Sequence, residues 1–422
     1  MGAGRHSLAA IALVLGALVA LIGVGSALGG SPAKTRLVSK TSSGAPATGG
    51  DVAISASGRY LAFASSGDNL PGDDTVVNVY VHDRKTQKTR LVSKTSAGEP
   101  ATGGSSELPA ISGSGRRVAF QSDASNLPAG SSGYFQAYVH DRKTGKTRLV
   151  SRTSAGEPGG GNSAEPSISA SGRFVSFDSG ATNLPGGEPN SIYVHDLKSR
   201  KTRLISKTSS GEPATGGSSF YPSLSASGRY VAFDSAATNL PGDDTIRDVF
   251  LHDRKTGNTR LVSRTSAGVP ADGQSDDASI SATGRFVAYD SSAENLPGDV
   301  PGSHVYVFDK KRGRTTLVSK NSSGEQAEST AVGASISASG RFVAFQTPAE
   351  NFPGAPATTD VYVRNRKSGR VKLVSQTSAG EFADGNTFQA AISASARFVA
   401  FGSLATNLPG GPNNVYVRGP LR

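Results

Sequence analysis

The fold is decided by a ten-residue stretch, Ile54-Ser-Ala-Ser-Gly58-Arg59-Tyr60-Leu-Ala-Phe63. Copies of this stretch begin at Ile111, Ile168, Leu224, Ile280, Ile336 and Ile392, at steps of 57, 57, 56, 56, 56 and 56 residues. A nearly constant step is typical of repeat architectures, in which each copy is one supersecondary unit. The sequence therefore predicts seven structural units.

Each unit contains four short apolar runs. In the fourth copy these are residues 223–225, 230–233, 249–252 and 259–263, bounded by Gly, Pro, Asn or Asp. Runs of β-branched and aromatic residues with such borders are typical of strands, and Gly228 suits a tight turn that needs a positive φ. Seven units of four antiparallel strands predict an all-β, seven-bladed β-propeller.

The two ends of the repeat region predict how the ring closes. A fourth-strand sequence, Thr35 to Ser39, precedes the first unit, and the last unit stops after a third-strand sequence, Val415 to Val417. One N-terminal strand and three C-terminal strands would complete the seventh blade (1+3 closure). Closure of this kind removes free sheet edges.

The repeats resemble those of TolB-like, WD-repeat-like propellers of the bacterial envelope. That motif is a Ser-Pro-Asp-Gly turn, a short apolar strand and then an apolar strand ending in Asp, as in Val79-Tyr80-Val81-His82-Asp83. Here Ser57 and its equivalents replace the turn Asp, and Ala396 replaces the last turn glycine. The resemblance extends over residues 34–422 and implies a propeller fold rather than a particular function.

The N-terminal region predicts export. Leu8 to Leu28 is an uninterrupted apolar stretch of 21 residues that follows Arg5 and His6, which predicts a hydrophobic helix preceding the propeller. We interpret residues 1–33 as a signal peptide or an N-terminal membrane anchor, and residues 34–422 as the propeller. The expected location is periplasmic, extracellular, or anchored to the outer side of the cytoplasmic membrane.

Composition excludes several site types. The chain has no cysteine, so disulfides, thiolate metal sites and cysteine nucleophiles are excluded. His82, His140, His195 and His252 occupy one equivalent position in four units, so the ring should hold them apart. Asn69 and its equivalents open a long loop in every unit, and we expect each to bond its own backbone.

The two ends of the predicted ring differ in loop length and charge. We call the end with the second-to-third-strand and blade-to-blade loops the long-loop face, and the other end the short-turn face. The short turns carry a formal charge of +25, against −14 for the rest of the chain. Long loops on a rigid scaffold usually carry binding sites. The basic face is either solubilising charge or a surface for an anionic membrane or cell wall.

Two sets of acidic residues are candidate sites. Asp178, Asp234 and Asp290 follow the second strand of three adjacent units and are candidates for binding at the channel mouth. Asp73 and Asp74 in one loop, and Asp243, Asp244 and Asp248 in another, resemble a shortened calcium loop of related bacterial repeats. Ca²⁺ is the one cofactor that these patterns suggest.

Taken together, these features predict an exported, monomeric, non-enzymatic binding or scaffold propeller. Its partner would be a protein or glycan on the long-loop face, and we expect no nucleic-acid partner. The alternative is an envelope hydrolase or lyase with a carboxylate site at the channel mouth. Two or more inward carboxylates within ~10 Å of each other would favour the enzyme.

Overall fold

The computed structural model describes residues 33–72, 76–129, 133–242, 246–298, 301–354 and 358–421. These residues form twenty-eight strands in seven four-stranded antiparallel sheets, which confirms the seven-bladed propeller. No helix among the described residues is long and apolar enough to cross a membrane. The predicted N-terminal helix and its apolar stretch lie outside the described residues.

The strands follow one another in the same order in each blade. Blade 1 has β2 (Val52–Ile54), β3 (Tyr60–Ser65), β4 (Asn78–Asp83) and β5 (Lys88–Leu91). Blade 2 has β6 (Ser106–Ile111), β7 (Arg117–Ser122), β8 (Gln136–Asp141) and β9 (Lys146–Leu149); blade 3 has β10 (Ser163–Ile168), β11 (Phe174–Ser179), β12 (Ser191–Asp196) and β13 (Lys201–Leu204). Blade 4 has β14 (Ser219–Leu224), β15 (Tyr230–Ser235), β16 (Asp248–Asp253) and β17 (Thr259–Leu261). Blade 5 has β18 (Ser275–Ile280), β19 (Phe286–Ser291), β20 (His304–Asp309) and β21 (Arg314–Leu317); blade 6 has β22 (Val332–Ile336), β23 (Phe342–Thr347), β24 (Asp360–Asn365) and β25 (Val371–Leu373). Blade 7 has β26 (Thr387–Ile392), β27 (Val399–Ser403) and β28 (Asn414–Gly419) from the C-terminal end and β1 (Lys34–Leu37) from the N-terminal end.

Ring closure follows the predicted 1+3 pattern. Strand β1 pairs antiparallel with β28, with Lys34 opposite Gly419 and Leu37 opposite Tyr416. The Arg418 guanidinium donates to Thr35 Oγ1 at 2.8 Å, and Val38 is completely buried. The first and last strands of the ring are thus joined in one sheet.

The core lies between neighbouring blades. One cluster, for example, packs Ala232 and Val249 of blade 4 against Val287, Tyr289 and Phe308 of blade 5. Alternating strand residues face opposite neighbours, so each blade contributes to two such clusters. Stability therefore comes from blade-to-blade contacts, as in other repeat proteins.

The short turn between the first two strands has the predicted conformation. Gly115 has φ +73°, and a Cβ there would lie 2.2 Å from Tyr60 Cδ2 of the preceding blade. Ala396, which replaces glycine in the last copy, takes the same left-handed conformation at φ +57°. The turn thus serves both chain reversal and close packing between blades.

The loop asparagines work differently from the prediction. Asn69 Nδ2 donates to the Pro46 carbonyl at 2.7 Å, so it joins two long loops instead of bonding its own backbone. The equivalent asparagines of the other blades make the same contact with the blade-to-blade loop: Asn126, Asn183, Asn239, Asn295, Asn351 and Asn407. The leucine after Asn69 is buried, as expected.

Candidate functional site

A ring of side chains lines the central channel at one position of the innermost strands. In six blades a β-bulge there gives the residue a positive φ, from +48° at Glu165 to +73° at Gly333. The seven residues at this position are Asp51, Leu108, Glu165, Tyr221, Asp277, Gly333 and Gln389. Bulges re-aim side chains and are frequent beside functional sites.

Five of these residues border one cavity of about 300 Å³. Glu165, Tyr221, Asp277, Gly333 and Gln389 contribute to it, together with their neighbours on the inner strands. The inner strands run from the long-loop face towards the short turns, and the ring lies in their first half. This cavity is therefore the part of the channel nearer the long-loop face.

Asp51 belongs to the same ring from blade 1. Its Oδ2 accepts the Leu108 N–H at 3.3 Å, and its Oδ1 accepts from Gln389 Nε2 at 2.5 Å. Leu108 and Gln389 belong to the two neighbouring blades, so this carboxylate links three blades around the channel.

Partial burial and electrostatic repulsion raise the pKa values of the channel acids. Burial, with additional repulsion from Asp178, Asp51 and Asp277, raises the pKa of Glu165 to about 7. Burial and the Asp276 carboxylate raise the pKa of Asp277 as well, although its side chain is exposed to the channel. The mouth of the channel thus collects negative charge that water screens incompletely.

The predicted residues Asp178, Asp234 and Asp290 lie behind this ring. All three are buried in their second strands, next to the inner strands. Burial raises the pKa of Asp178 to about 6 and that of Asp234 to about 8. Arg247 Nη1 lies 3.6 Å from Asp234 Oδ2, and the carboxylates of Asp276 and Asp277 also act on this group. The role of Asp178, Asp234 and Asp290 in binding remains a prediction.

In blade 5 the buried acid meets two others. Asp290 lies opposite Asp276 in the β18–β19 register, and Asp277 follows at the bulge. One potential ligand oxygen from each of the three carboxylates lies within 4.8 Å of the other two. The pKa of Asp290 is raised well above its ordinary value, first by burial and then by repulsion from Asp277.

The predicted calcium loops are only partly described. Asp73, Asp74, Asp243 and Asp244 lie outside the described residues. Asp248 is buried at the start of β16 and accepts from Ser263 Oγ at 2.5 Å. Asn78, Gln136 and Asp360 accept from the equivalent serines of their blades, so Asp248 has a structural role; its role as a metal ligand stays a prediction.

The four histidines are held apart, as expected, and each bonds within its own blade. The Nδ1 atoms of His82, His140, His195 and His252 lie 2.9–3.0 Å from threonine hydroxyls on the fourth strand. Each hydroxyl in turn donates to a carbonyl of the preceding blade-to-blade loop. Each histidine–threonine pair therefore connects its blade to the loop from the preceding blade.

A second cavity lies away from the channel, at the outer edge between blades 2 and 3. It measures about 540 Å³ and is bordered by Lys146, Arg148, Arg152 and Arg200. The imidazole of His195, which also lines this cavity, already forms a hydrogen bond with Thr202 Oγ1. The cavity holds no acid–base pair among its described lining residues, so we place the candidate site in the channel.

The channel ring is not among the site residues predicted from the sequence, although its position varies from copy to copy. Three residues before Ile54 and each of its equivalents, the residue is Asp, Leu, Glu, Tyr, Asp, Gly or Gln. The position before it varies as well, whereas the two positions after it are mostly Pro, Ala or Ser. Positions that recur in every blade build the blade. A position that varies within an otherwise repeated phrase is free to serve a ligand.

No protein-family model and no curated protein matches this chain. Among solved structures, it is similar to the β-propeller domain of the Trilobed protease from Pyrococcus furiosus (TM-score 0.55, 10% identity, 88% of this chain and 93% of that one). It is also similar to an oligogalacturonate lyase in complex with manganese (TM-score 0.54, 14% identity, 92% and 91% coverage). A TolB-like protein from Agrobacterium tumefaciens matches at TM-score 0.42 and 15% identity, over 68% of this chain and 89% of that one.

The first two similarities agree with the propeller fold. The Pyrococcus domain has an open velcro topology, whereas here β1 pairs with β28 in one sheet. At such identities the similarity does not extend to activity.

Proposed function

We propose that the protein is an exported binding propeller whose acidic channel mouth receives a cationic group, an amine or a guanidinium, of its ligand. The observation that supports this most directly is the convergence of Glu165 and Asp277 on one cavity with Tyr221. A carboxylate and an aromatic face both attract organic cations. The surrounding long loops would contact the rest of the ligand, whether a protein or an aminated glycan.

The sign of the charge distinguishes this ligand from that of the lyase. An oligogalacturonate is a polyanion, and the carboxylates of this channel would repel it. The charged residues among those lining this cavity are Glu165 and Asp277, both acidic. We therefore favour a cationic ligand over an acidic oligosaccharide.

Spermidine and a tri-arginine peptide serve as probes for the test. Isothermal titration calorimetry at pH 8 and low salt should detect binding that weakens as salt is added. Glu165→Gln should weaken it about tenfold, because a charge-assisted contact is lost. Glu212→Gln, in an exposed blade-to-blade loop, is the matched control and should bind as the parent does. Failure of both probes to bind, or equal effects of the two substitutions, would refute the proposal.

A second candidate is an acid–base enzyme at the same mouth. It is favoured by Glu165, whose pKa of about 7 suits proton transfer near neutral pH. Asp276 and Asp277 also have carboxylate oxygens within 4.8 Å of each other, well inside the ~10 Å separation that favours an enzyme. Hydrolysis or elimination of aminated oligosaccharides that is abolished by Glu165→Gln would establish this activity in place of simple binding.

A further inference from the structure

Blade 5 differs from the other blades at three positions on its first two strands. These are the second-strand position of Asp290, its partner Asp276 and the bulge residue Asp277. The corresponding trios are Gln121, Glu107 and Leu108; Asp178, Ala164 and Glu165; Asp234, Phe220 and Tyr221; Gln346, Val332 and Gly333; and Gly402, Phe388 and Gln389. Three acids at once occur in blade 5 alone of these six bulged blades.

Asp290 supplies the second, independent observation. Its side chain is 1% exposed, and its Oδ2 accepts the Gly333 N–H of the next blade at 2.7 Å. Its Oδ1 is buried without a hydrogen-bond partner among the described residues. A buried carboxylate oxygen with no donor is costly, and a bound cation would remove that cost.

The nearby positive charge is insufficient to neutralise the group. Arg247 is the cation that acts on Asp276 and Asp277, and it also faces Asp234 at 3.6 Å. One guanidinium is thus shared among several carboxylates. Among the described residues, the carboxyl groups beside Asp290 therefore outnumber the cations.

We propose that Asp276, Asp277 and Asp290 bind a hard divalent cation, such as Ca²⁺ or Mn²⁺, in the channel wall of blade 5. Oxygens on opposite sides of a Ca²⁺ ion are about 5 Å apart, which suits carboxylate oxygens within 4.8 Å of one another. Carboxylate donors select hard cations. Asp277 is exposed to the channel, so cations can enter and water can complete the coordination.

This site shares Asp277 with the cavity of the proposed ligand but does not need that ligand, and it differs from the predicted loop site around Asp248. Glu165, which the cationic ligand would contact, is outside the trio. Glu165→Gln should therefore leave metal binding unchanged even where it removes spermidine binding.

The test is calorimetric titration of the chelator-stripped full chain with CaCl₂, MnCl₂ and MgCl₂ at pH 7.5. We expect one site per chain for at least one of these ions. Asp290→Asn should weaken binding at least tenfold, while its amide oxygen can still accept the Gly333 N–H. The matched control is Asp178→Asn, at the equivalent position of blade 3, which should bind as the parent does. Asp277→Asn, at an exposed position, provides a second variant if Asp290→Asn does not fold.

Saturating metal should also raise the melting temperature of the parent and not that of Asp290→Asn, because only the folded site binds the ion. Absence of stoichiometric binding by all three ions would overturn the proposal. Unchanged binding in both Asp290→Asn and Asp277→Asn would overturn it too, and would place the ion elsewhere, for example in the loop before Asp248.

Discussion

At the scale of single residues, the buried histidines show how a repeated side chain can make stability depend on pH. The hydroxyl of each partner threonine donates to a carbonyl, so the histidine Nδ1–H must donate to that hydroxyl. Burial lowers the pKa of each of the four histidines to about 4. In the unfolded chain a histidine titrates near 6.5. Between pH 6.5 and 4 the unfolded chain binds more protons than the folded protein. The histidines therefore lower the free energy of unfolding as pH falls through this range.

Replacing one histidine by phenylalanine should remove one of the groups that bind a proton on unfolding. Blade 5 already has Phe308 at this position, completely buried, so His140→Phe suits the fold. At pH 7 the loss of the Thr147 contact should cost about 1 kcal/mol, partly offset by the buried ring. As pH falls to 4.5, we expect the variant to gain on the parent by up to about 1.4 kcal/mol per pH unit.

Denaturant unfolding of both proteins at several pH values measures this difference. The comparison is needed because the channel acids have raised pKa values and oppose the trend in the parent. If the two stability curves run parallel from pH 7 to 4.5, the buried histidines do not carry the proton linkage.

At the scale of elements, the strands, the glycine turns and the closing strand were predictable from the repeat alone. Each depends on a local pattern that occurs six or seven times, so errors in one copy are corrected by the others. The variation at the ring position is visible in the sequence, but its direction towards the channel was not predictable, because a bulge interrupts the period-two alternation at a point that no residue type marks. For that reason the predicted residues Asp178, Asp234 and Asp290 lie on the second strands, one strand outward from the ring.

Strand β1 offers the sharpest test of the closure. A chain that begins at Thr41 lacks β1 and the buried Val38, and exposes the β28 edge. Loss of one buried valine alone costs roughly 2 kcal/mol, and the lost strand pairing adds to this. We expect a markedly lower melting temperature than for a chain that begins at Ser31, and aggregation through the exposed edge.

A synthetic peptide spanning residues 33–41 is the control for this deletion. Added in excess, it should restore part of the lost melting temperature, because it binds only the folded ring. Equal melting temperatures of the two chains would show that β1 is dispensable for closure.

At the scale of the whole molecule, the arginines of the short-turn face divide into two groups. Arg59, Arg116, Arg173, Arg229 and Arg285 pair with the aspartates that end the third strands, at 2.6–2.7 Å. Arg84, Arg142, Arg254 and Arg366 lie over aromatic rings of the preceding-neighbour blades, at 4.0–4.8 Å from the ring centroids. The first group therefore joins two turns of one blade, and the second group packs against the neighbouring blade.

Apart from these two groups, a further set of cations is exposed on the third-to-fourth-strand turns and the fourth strands. They are Lys85, Lys88, Arg90, Lys143, Lys146, Arg148, Lys198, Arg200, Lys201, Arg203, Lys255, Arg260, Lys311, Arg312, Arg314, Lys367, Arg370 and Lys372. The aspartates of these turns are already paired with arginines, so this ring is nearly unopposed. It faces away from the acidic channel mouth.

This separation of charge predicts how the molecule would orient at a surface. Exposed Lys and Arg near an anionic bilayer contribute about 1 kcal/mol each, within a Debye length. A chain beginning at Ser31 should therefore float with anionic liposomes at low salt and dissociate at high salt, with the long-loop face turned outward. The quadruple reversal Lys85→Glu, Lys143→Glu, Lys255→Glu and Lys311→Glu should abolish flotation. Flotation that survives the quadruple reversal, or none at low salt, would reduce the ring to a solubilising surface.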